Sequence, residues 1–285
     1  MKPGFWIAPE GDDDAPTPRP IGPADALAGG ASFAPAFLAT GAAEALIRAC
    51  PRVAALLAEI AAALDRQDPD APGRLFDITA FSAEETRLLG EVLGEGEVSA
   101  VASLPGGVVA QVQEPVLAGL WRLRFQGPDG QNLADYLEIA AIPQAVRQAA
   151  SLGAPAVEPG NPPADCMNVR PLLAEIAGRM ARWQPGEPSH VINFSLLPMT
   201  GADMAYLQAC LGRGMVALAA RGYGTCRVQA TGARHVWSVQ YSNAGDEVVL
   251  DTLEIGGVPA AVLAAGEDFR DSAARLREIA AAYFA

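Results

Sequence analysis

The hexapeptide Leu56-Leu-Ala-Glu-Ile-Ala61 recurs letter for letter as Leu172-Leu-Ala-Glu-Ile-Ala177, 116 residues further along the chain. The pattern Asp135-x-Leu137-Glu-Ile recurs at the same offset as Asp251-x-Leu253-Glu-Ile. Further matches lie between these blocks in the same order: Leu93-Gly-Glu-Gly-Glu-Val98 with Leu211-Gly-Arg-Gly-Met-Val216, Val112-Gln113 with Val228-Gln229, and Trp121 with Trp237. Several ordered matches at nearly one offset indicate an internal repeat, which covers residues 52–147 and again 168–263.

Each copy of the repeat carries the same order of structural signals. An amphipathic helix comes first, then a short strand, then a second helix that starts at a capping residue, Ser82 or Thr200. A glycine, Gly94 or Gly212, ends this helix, and three or four strands follow. We therefore predict an α+β fold of two tandem homologous lobes with pseudo-twofold symmetry, each a mostly antiparallel sheet with helices on one face.

One predicted strand shows the alternation most clearly. Trp121, Leu123 and Phe125 alternate with Arg122 and Arg124, and the second copy has the same pattern of apolar and polar positions. A period of two is typical of a strand with one buried face and one solvated face. The pattern predicts that the polar positions of this strand face water.

Composition divides the chain into four predicted segments. Residues 1–35 are rich in Pro, Gly and Asp, which predicts a disordered or extended segment. Residues 36–150 hold the first α+β repeat, and residues 168–285 hold the second repeat with an additional C-terminal helix. The Pro and Gly residues between the repeats predict a linker over 151–167.

Charge and cysteine usage exclude several classes of partner. The formal net charge of −13 repels phosphate backbones and anionic membranes, so we expect neither nucleic acid nor a membrane as a partner. The chain has no apolar run of the ~18 residues that a bilayer requires, and its N-terminus lacks the pattern of a secretory signal. Four cysteines without C-x-x-C spacing predict free thiols in a reducing cytoplasm and no structural metal site.

The most unusual string is Arg221-Gly-Tyr-Gly-Thr-Cys-Arg227, which differs from the corresponding part of the first repeat. A cysteine after a Gly-rich turn and between two arginines has a lowered pKa in one interpretation, which makes Cys226 a soft ligand or a nucleophile. In the other interpretation Cys226 is inert and buried, because it is in phase with Val228 and faces the apolar side of the strand. Strand alternation favours the second interpretation.

Other polar residues give weaker signals. Gln113 and Glu114 end the corresponding strand of the first repeat, so Glu114 marks either a polar site or a solvated strand end. His190 and His235 are the two histidines of the chain, and isolated histidines are more often surface or structural residues than ligands. No Ser/His/Asp or Cys/His set can be assembled, which argues against acid–base catalysis.

A family resemblance rests on several strings taken together. They are Leu75-Phe-Asp-Ile-Thr79, Leu93-Gly-Glu-Gly-Glu-Val98, Gly119-Leu-Trp-Arg122, Leu137-Glu-Ile-Ala-Ala-Ile-Pro143, His190-Val-Ile-Asn193, Arg221-Gly-Tyr-Gly-x-Cys-Arg227, Val236-Trp-Ser-Val-Gln-Tyr241 and Asp251-Thr-Leu-Glu254. In this combination the chain resembles the HupH/HyaF family of hydrogenase expression/formation proteins, over most of residues 75–280. The family pattern favours Asn where Thr225 stands and Ser where Pro115 stands.

The resemblance implies an accessory role in the maturation of an uptake nickel–iron hydrogenase. It implies a non-catalytic chaperone or scaffold without a cofactor, which binds the immature large subunit and can also contact other maturation proteins. Arg221, Tyr223 and Arg227 have the side-chain chemistry of interface anchors, with Gln113 and Glu114 as weaker partner-binding candidates. Cys226 is the residue that would touch the cofactor precursor.

Two alternatives remain open at the level of sequence. The first is a small-molecule enzyme that uses Cys226 with Arg221 or Glu114 in a cleft between the lobes. The second is a metal or cofactor-precursor carrier, for which Cys210 and Cys226 are the best pair. Burial of Cys226 without an adjacent cavity would argue against the enzyme, and scattered cysteines would argue against the carrier.

Overall fold

The structure is a computed structural model that describes residues 41–158 and 160–284, so the predicted segment 1–35 lies outside the described residues. The helices are α1 Gly41–Ala49, α2 Pro51–Leu64, α3 Ala83–Leu93, α4 Gln144–Ser151, α5 Val169–Met180, α6 Gly201–Leu211 and α7 Gly266–Tyr283. The strands are β1 Arg74–Asp77, β2 Val98–Leu104, β3 Val108–Gln113, β4 Leu120–Gln126, β5 Asn132–Ile139, β6 His190–Asn193, β7 Arg213–Arg221, β8 Thr225–Thr231, β9 Val236–Ser242 and β10 Val248–Ile255. Of the helices in these ranges, none is both long enough and apolar enough to cross a bilayer.

The described residues form two compact units. Unit A comprises residues 41–99, 105–144 and 263–284, and unit B comprises residues 100–104, 145–158 and 160–262. This division differs from the predicted repeats in three places, because most of β2 and most of α4 belong to unit B and α7 belongs to unit A. The helix at the end of the chain therefore packs with elements of the first repeat.

Unit A has an antiparallel sheet in the order β1-β5-β4-β3, packed against helices. The apolar stripe of α7, formed by Phe269, Ala273 and Leu276, is fully buried. Its spacing of four and three residues is that of one helix face, and this face packs on α2. Burial of each large side chain of this kind stabilises the fold by about 1.5–3 kcal/mol, which explains why α7 is held in unit A.

Unit B has an antiparallel sheet in the order β7-β8-β9-β10-β6, with α5 and α6 supplying most of the helical core. Leu173 and Ile176 of α5 and Leu207 of α6 pack in one cluster with Leu253 and Ile255 of β10. The prediction of an α+β fold with antiparallel sheets and helices is confirmed in both units.

The prediction of a solvated polar face is wrong for β9. Ser238 and Gln240 are only 2% and 8% exposed, although they occupy the polar positions of the alternation. Ser238 is paired with Leu253, a residue of the helix-covered core, so the polar positions of β9 lie on the helix side of the sheet. Trp237 and Val239 on the opposite face are buried as well.

Helix ends follow the predicted capping chemistry. At the start of α3, the backbone N–H of Glu85 donates to Ser82 Oγ at 3.1 Å, and the N–H of Ser82 donates to Glu85 Oε2 at 2.8 Å. Thr200 and Asp203 form the same reciprocal pair at the start of α6. The glycines that end these two helices have positive φ, 61° at Gly94 and 62° at Gly212, where a side chain would be strained.

Candidate functional site

The tip of the β7–β8 hairpin carries the most exposed aromatic side chain described. Tyr223 is fully exposed, and Arg221 beside it is also exposed. The turn is closed by a hydrogen bond from the N–H of Gly222 to the carbonyl oxygen of Gly224, at 2.9 Å. A Cβ at Gly224 would collide with the carbonyl oxygen of Ser242, so the hairpin needs glycine where it passes the neighbouring strand. The hairpin tip therefore presents two exposed side chains, those of Arg221 and Tyr223, to solvent.

Cys226 lies inside the sheet, directly opposite Ala220 of β7 and Tyr241 of β9. It is 8% exposed, and burial raises the pKa of its thiol, although a hydrogen bond with Tyr241 acts in the other direction. Burial likewise raises the pKa of Tyr241 to about 12. The thiol is therefore protonated at neutral pH, whereas a nucleophile or soft ligand needs a thiolate.

The two arginines of the unusual string do not activate Cys226. Arg227 follows Cys226 in the strand and so points to the opposite face, where it is exposed and paired with Ala219 and Gln240. Arg221 lies at the end of the hairpin. Strand alternation separates the arginine charges from the thiol, so they do not lower its pKa. Burial then leaves the pKa of Cys226 raised.

Gln113 is buried and binds the backbone. Its side-chain Nε2 donates to the carbonyl oxygens of Gly96 and Val98, each at 3.2 Å, and of Glu114 at 2.8 Å. Gln229 of unit B makes the corresponding contacts, because its Nε2 donates to the carbonyl oxygens of Val216 and Ala230. Both glutamine side chains therefore tie their strand to backbone carbonyl groups nearby.

Glu114 is also buried, and it holds the loop that follows β3. Its Oε1 accepts a hydrogen bond from the N–H of Gly119 at 3.0 Å, and burial raises its pKa to about 7. Helix α7 closes the same loop, since Ser272 Oγ donates to the carbonyl oxygen of Ala118 at 2.9 Å. Gly119 has a φ of 81°, and a Cβ there would collide with Phe269.

Asp203 is the polar residue whose importance the sequence did not reveal. Its Oδ1 accepts from the backbone N–H groups of Met167, Asn168 and Val169 at 2.8, 2.9 and 3.0 Å, and its Oδ2 accepts from Thr200. The sequence signalled only the capping box with Thr200. Asp203 therefore joins the start of α6 to the start of α5.

Each of the two histidine rings contacts another side chain of unit B. The ring of His190 lies 2.7 Å from Glu175 Oε1, and the ring of His235 stacks on Trp183 with centroids 4.6 Å apart. Burial lowers the pKa of His235. The expectation of surface or structural histidines agrees with these contacts.

The cysteines are arranged differently from the pair considered for a carrier. Cys210 lies close to Cys166, and its thiol is hydrogen bonded to Tyr206, whereas the charged and polar neighbours of Cys226 are Tyr241 and Glu254. Across residues 41–158 and 160–284, no group of three or more His, Cys, Asp and Glu side chains is placed to hold a metal ion.

Two equivalent tryptophans differ in their hydrogen bonding. Trp121 Nε1 donates to the carbonyl oxygen of Ala140 at 2.8 Å. Trp237 is as deeply buried, but its Nε1 has no hydrogen-bond partner within the described part of the chain. A buried N–H without a partner carries an uncompensated desolvation cost.

This difference predicts unequal effects of the same substitution. Trp121→Phe leaves the carbonyl oxygen of Ala140 without its hydrogen-bond donor. Trp237→Phe removes an N–H group that has no hydrogen-bond acceptor. We expect Trp121→Phe to lower the free energy of unfolding by about 1–3 kcal/mol more than Trp237→Phe does. Urea unfolding of both variants measures the difference, and equal losses would contradict the assignment.

These features describe an α+β protein with an antiparallel sheet in each unit, buried polar side chains that bind its own backbone, and an exposed Arg/Tyr hairpin tip. The chain belongs to the family described as HupH hydrogenase expression protein, C-terminal conserved region, whose model matches residues 52–152 and 166–283. The resemblance predicted from the sequence motifs is confirmed.

Two relatives, from Rhizobium leguminosarum and Escherichia coli, agree with this membership. Hydrogenase expression/formation protein HupH of Rhizobium leguminosarum bv. viciae is 56% identical over 285 residues, which is 100% of both chains. Hydrogenase-1 operon protein HyaF of Escherichia coli (strain K12) is 35% identical over 234 residues, which is 80% of each chain. A solved structure of hydrogenase expression protein HupH from Thiobacillus denitrificans is 29% identical, with a TM-score of 0.38, and the match covers 40% of this chain and 96% of that chain.

Proposed function

We propose that this chain is an accessory protein for the maturation of an uptake nickel–iron hydrogenase, and that it binds the immature large subunit during assembly of the metal centre. Family membership and the names of the relatives support a role in hydrogenase expression or formation. The chain acts as a non-catalytic chaperone or scaffold in the cytoplasm, a location in keeping with its free cysteines.

The exposure of Arg221 and Tyr223 at the hairpin tip supports this tip as the contact surface for the partner. Tyr223 and Arg221 are exposed side chains of two of the three types that are enriched at the energetic centres of interfaces. Arg227 extends the exposed surface along β8. Gln113 and Glu114 are occupied by backbone contacts, so their part is to fix the fold rather than to anchor the partner.

The enzyme alternative has less support than the scaffold. An enzyme built on Cys226 needs an accessible thiolate, and this thiol is buried with a raised pKa. The carrier alternative needs two or more cysteines close together. The cysteine near Cys210 is Cys166 rather than Cys226, and within residues 41–158 and 160–284 this pair is not joined by further His, Cys, Asp or Glu side chains into a group that could hold a metal ion.

We also infer that the chain arose by duplication of one unit. The family model matches two separate stretches of the chain, and these stretches correspond to the sequence repeat. Matching local details support the inference, including the capping boxes at Ser82 and Thr200 and the backbone contacts of Gln113 and Gln229.

Co-purification tests the proposed partner. A tagged chain expressed in a strain that is blocked late in hydrogenase maturation is expected to retain the immature large subunit. Recovery of no hydrogenase component would contradict the accessory role. Recovery of another hydrogenase component without the large subunit would contradict the choice of partner.

Substitution at the hairpin tip tests the proposed surface. The double variant Arg221→Ala, Tyr223→Ala is expected to bind the large subunit about tenfold or more weakly, because truncating such anchors commonly costs more than 1 kcal/mol each. Arg147→Ala, which removes an exposed arginine from α4, is the matched control and is expected to bind as the unchanged chain does. If both variants retained the large subunit equally well, the hairpin tip would not be the contact surface.

A further inference from the structure

Four adjacent strands of unit B place one residue each in a row across the sheet. Ala230 of β8 is opposite Trp237 of β9, Trp237 is opposite Glu254 of β10, and Glu254 is opposite Val191 of β6. Residues that are directly opposite share one face of the sheet, with neighbouring Cβ atoms about 4.5–5.5 Å apart. We call these four residues the Trp237 row.

The two polar members of the Trp237 row make no hydrogen bond to another described residue. Trp237 is 3% exposed, and its Nε1 donates no hydrogen bond to any described residue. The carboxyl group of Glu254 is half-buried, and burial raises its pKa with no compensating hydrogen bond. A buried donor and a partly buried acceptor thus belong to directly opposite residues of adjacent strands, and neither has a hydrogen-bond partner among the described residues.

Unit A contains the equivalent row with its polar atoms satisfied. Trp121 is opposite Glu138, and Glu138 is opposite Leu75. Trp121 Nε1 donates to the carbonyl oxygen of Ala140, and Glu138 Oε1 accepts from the N–H of Gln144 at 3.0 Å. The donor and the acceptor in this row are therefore taken up by the protein itself.

The first position of the row differs between the units. At the repeat offset of 116, Ala230 corresponds to Glu114 of unit A, whose side chain accepts from the N–H of Gly119, whereas the side chain of Ala230 ends at Cβ. Unit B therefore lacks a carboxyethyl group beside its tryptophan. At the other end of the row Val191 is 52% exposed, and β6 is the last strand of its sheet, so the row reaches solvent at an edge.

We propose that the Trp237 row binds a primary carboxamide group. The amide oxygen accepts from Trp237 Nε1, and the amide NH2 donates to the carboxylate of Glu254. A primary amide presents an acceptor oxygen and a donor nitrogen bonded to the same carbon, which suits a pair of neighbouring cross-strand side chains. A carboxylate ligand would be repelled by Glu254, and an ammonium ligand would leave the indole N–H without an acceptor.

The amide has two possible sources with the same chemistry. It is either a small free amide or the side chain of an Asn or Gln of a protein partner. The inference does not depend on the identity of the hydrogenase component, because it rests on the unequal hydrogen bonding of the two rows.

Indole N–H resonances of protein labelled with ¹⁵N-tryptophan provide the test. Trp237→Phe and Trp121→Phe assign the two signals. Added acetamide is expected to shift the Trp237 signal in a saturable manner and to leave the Trp121 signal in place. Acetate is the matched control ligand, since it has the same shape without the donor, and it is expected to cause no saturable shift.

Variants and a second probe complete the test. Glu254→Ala is expected to weaken acetamide binding at least about tenfold, whereas Glu158→Ala, at an exposed glutamate of unit B, is expected to leave it unchanged. Tighter binding of Gly-Gln-Gly than of acetamide, with no binding of Gly-Glu-Gly, identifies a protein side chain as the source, and the reverse order identifies a free amide. The proposal would be overturned if added amide shifted neither indole signal, or if it shifted the signals of Trp121 and Trp237 equally. It would also be overturned if the indole N–H of Trp237 showed exchange with water and no other change.

Discussion

Replacing Asp203 by alanine is expected to lower the free energy of unfolding by about 3 kcal/mol or more. The carboxylate of Asp203 accepts from the backbone N–H groups of Met167, Asn168, Val169 and Thr200 and from the hydroxyl of Thr200. A buried donor that loses its acceptor costs about 1–3 kcal/mol, and several lose theirs at once. The loss is the largest that we expect from a single polar substitution.

The charge of Asp203 links this stability to pH. Burial alone would raise the pKa of Asp203, but hydrogen bonds from Thr200, Asn168 and Val169 outweigh it and hold the pKa at about 2. The folded state therefore favours the carboxylate, and its contribution is fully present above the ordinary pKa of 3.8. The contribution is lost as the pH falls from 3.8 toward 2.

Urea unfolding at neutral pH and at pH 3 measures both effects. Asp203→Asn keeps one oxygen acceptor but turns an NH2 group toward the N–H of Thr200, so we expect a smaller loss than for Asp203→Ala. Glu85→Ala is the matched control at the same position of the other capping box, where one backbone N–H is accepted, and we expect a loss of about 1 kcal/mol. Similar losses for Asp203→Ala and Glu85→Ala would contradict the role of the three additional donors.

Replacing Glu114 by glutamine is expected to stabilise the protein above neutral pH. Burial raises the pKa of Glu114 from 4.5 to about 7, and the negative charges of Asp268 and Glu97 act in the same direction. Between these two values the folded protein holds a proton at Glu114 that the unfolded chain has released. The folding stability therefore falls as the pH rises through this window, by at most about 3 kcal/mol.

The glutamine substitution removes the charge and keeps the shape. The amide oxygen at position 114 can still accept from the N–H of Gly119, so the loop remains fastened. We expect the variant and the unchanged chain to differ little at pH 4.5, and the variant to be more stable by up to about 3 kcal/mol at pH 8. Glu59→Gln, at an exposed glutamate of α2, is the control. A constant difference between pH 4.5 and pH 8 for Glu114→Gln would show that the carboxyl is not buried as described.

Local chemistry explains which parts of the fold could be predicted. Ser82 and Thr200 are three residues from a carboxylate, which is the spacing that a capping box needs, and both boxes form. The alternation in β4 and β9 correctly predicted antiparallel strands. Such signals depend on neighbours in sequence, so a single sequence contains them.

The remaining features depend on contacts that are distant in sequence. Asp203 binds backbone donors more than thirty positions earlier, and backbone groups carry no side-chain signature. Ser238 and Gln240 are polar, yet they lie on the helix-covered face of the sheet. Their pairing with β10 puts them on the same face as Leu253, which packs against the helices. The raised pKa of Cys226 follows from its position inside the sheet, and the flanking arginines gave the opposite suggestion.

The packing of α7 against α2 has a consequence for biosynthesis. A ribosome makes α2 before every described element of unit B and makes α7 after them. The core of unit A is thus incomplete while unit B is translated, and its apolar helix stripes stay unmatched until α7 emerges from the exit tunnel. Of its described residues, unit B has all but 100–104 within the range 145–262, so it can fold while the nascent chain is still growing.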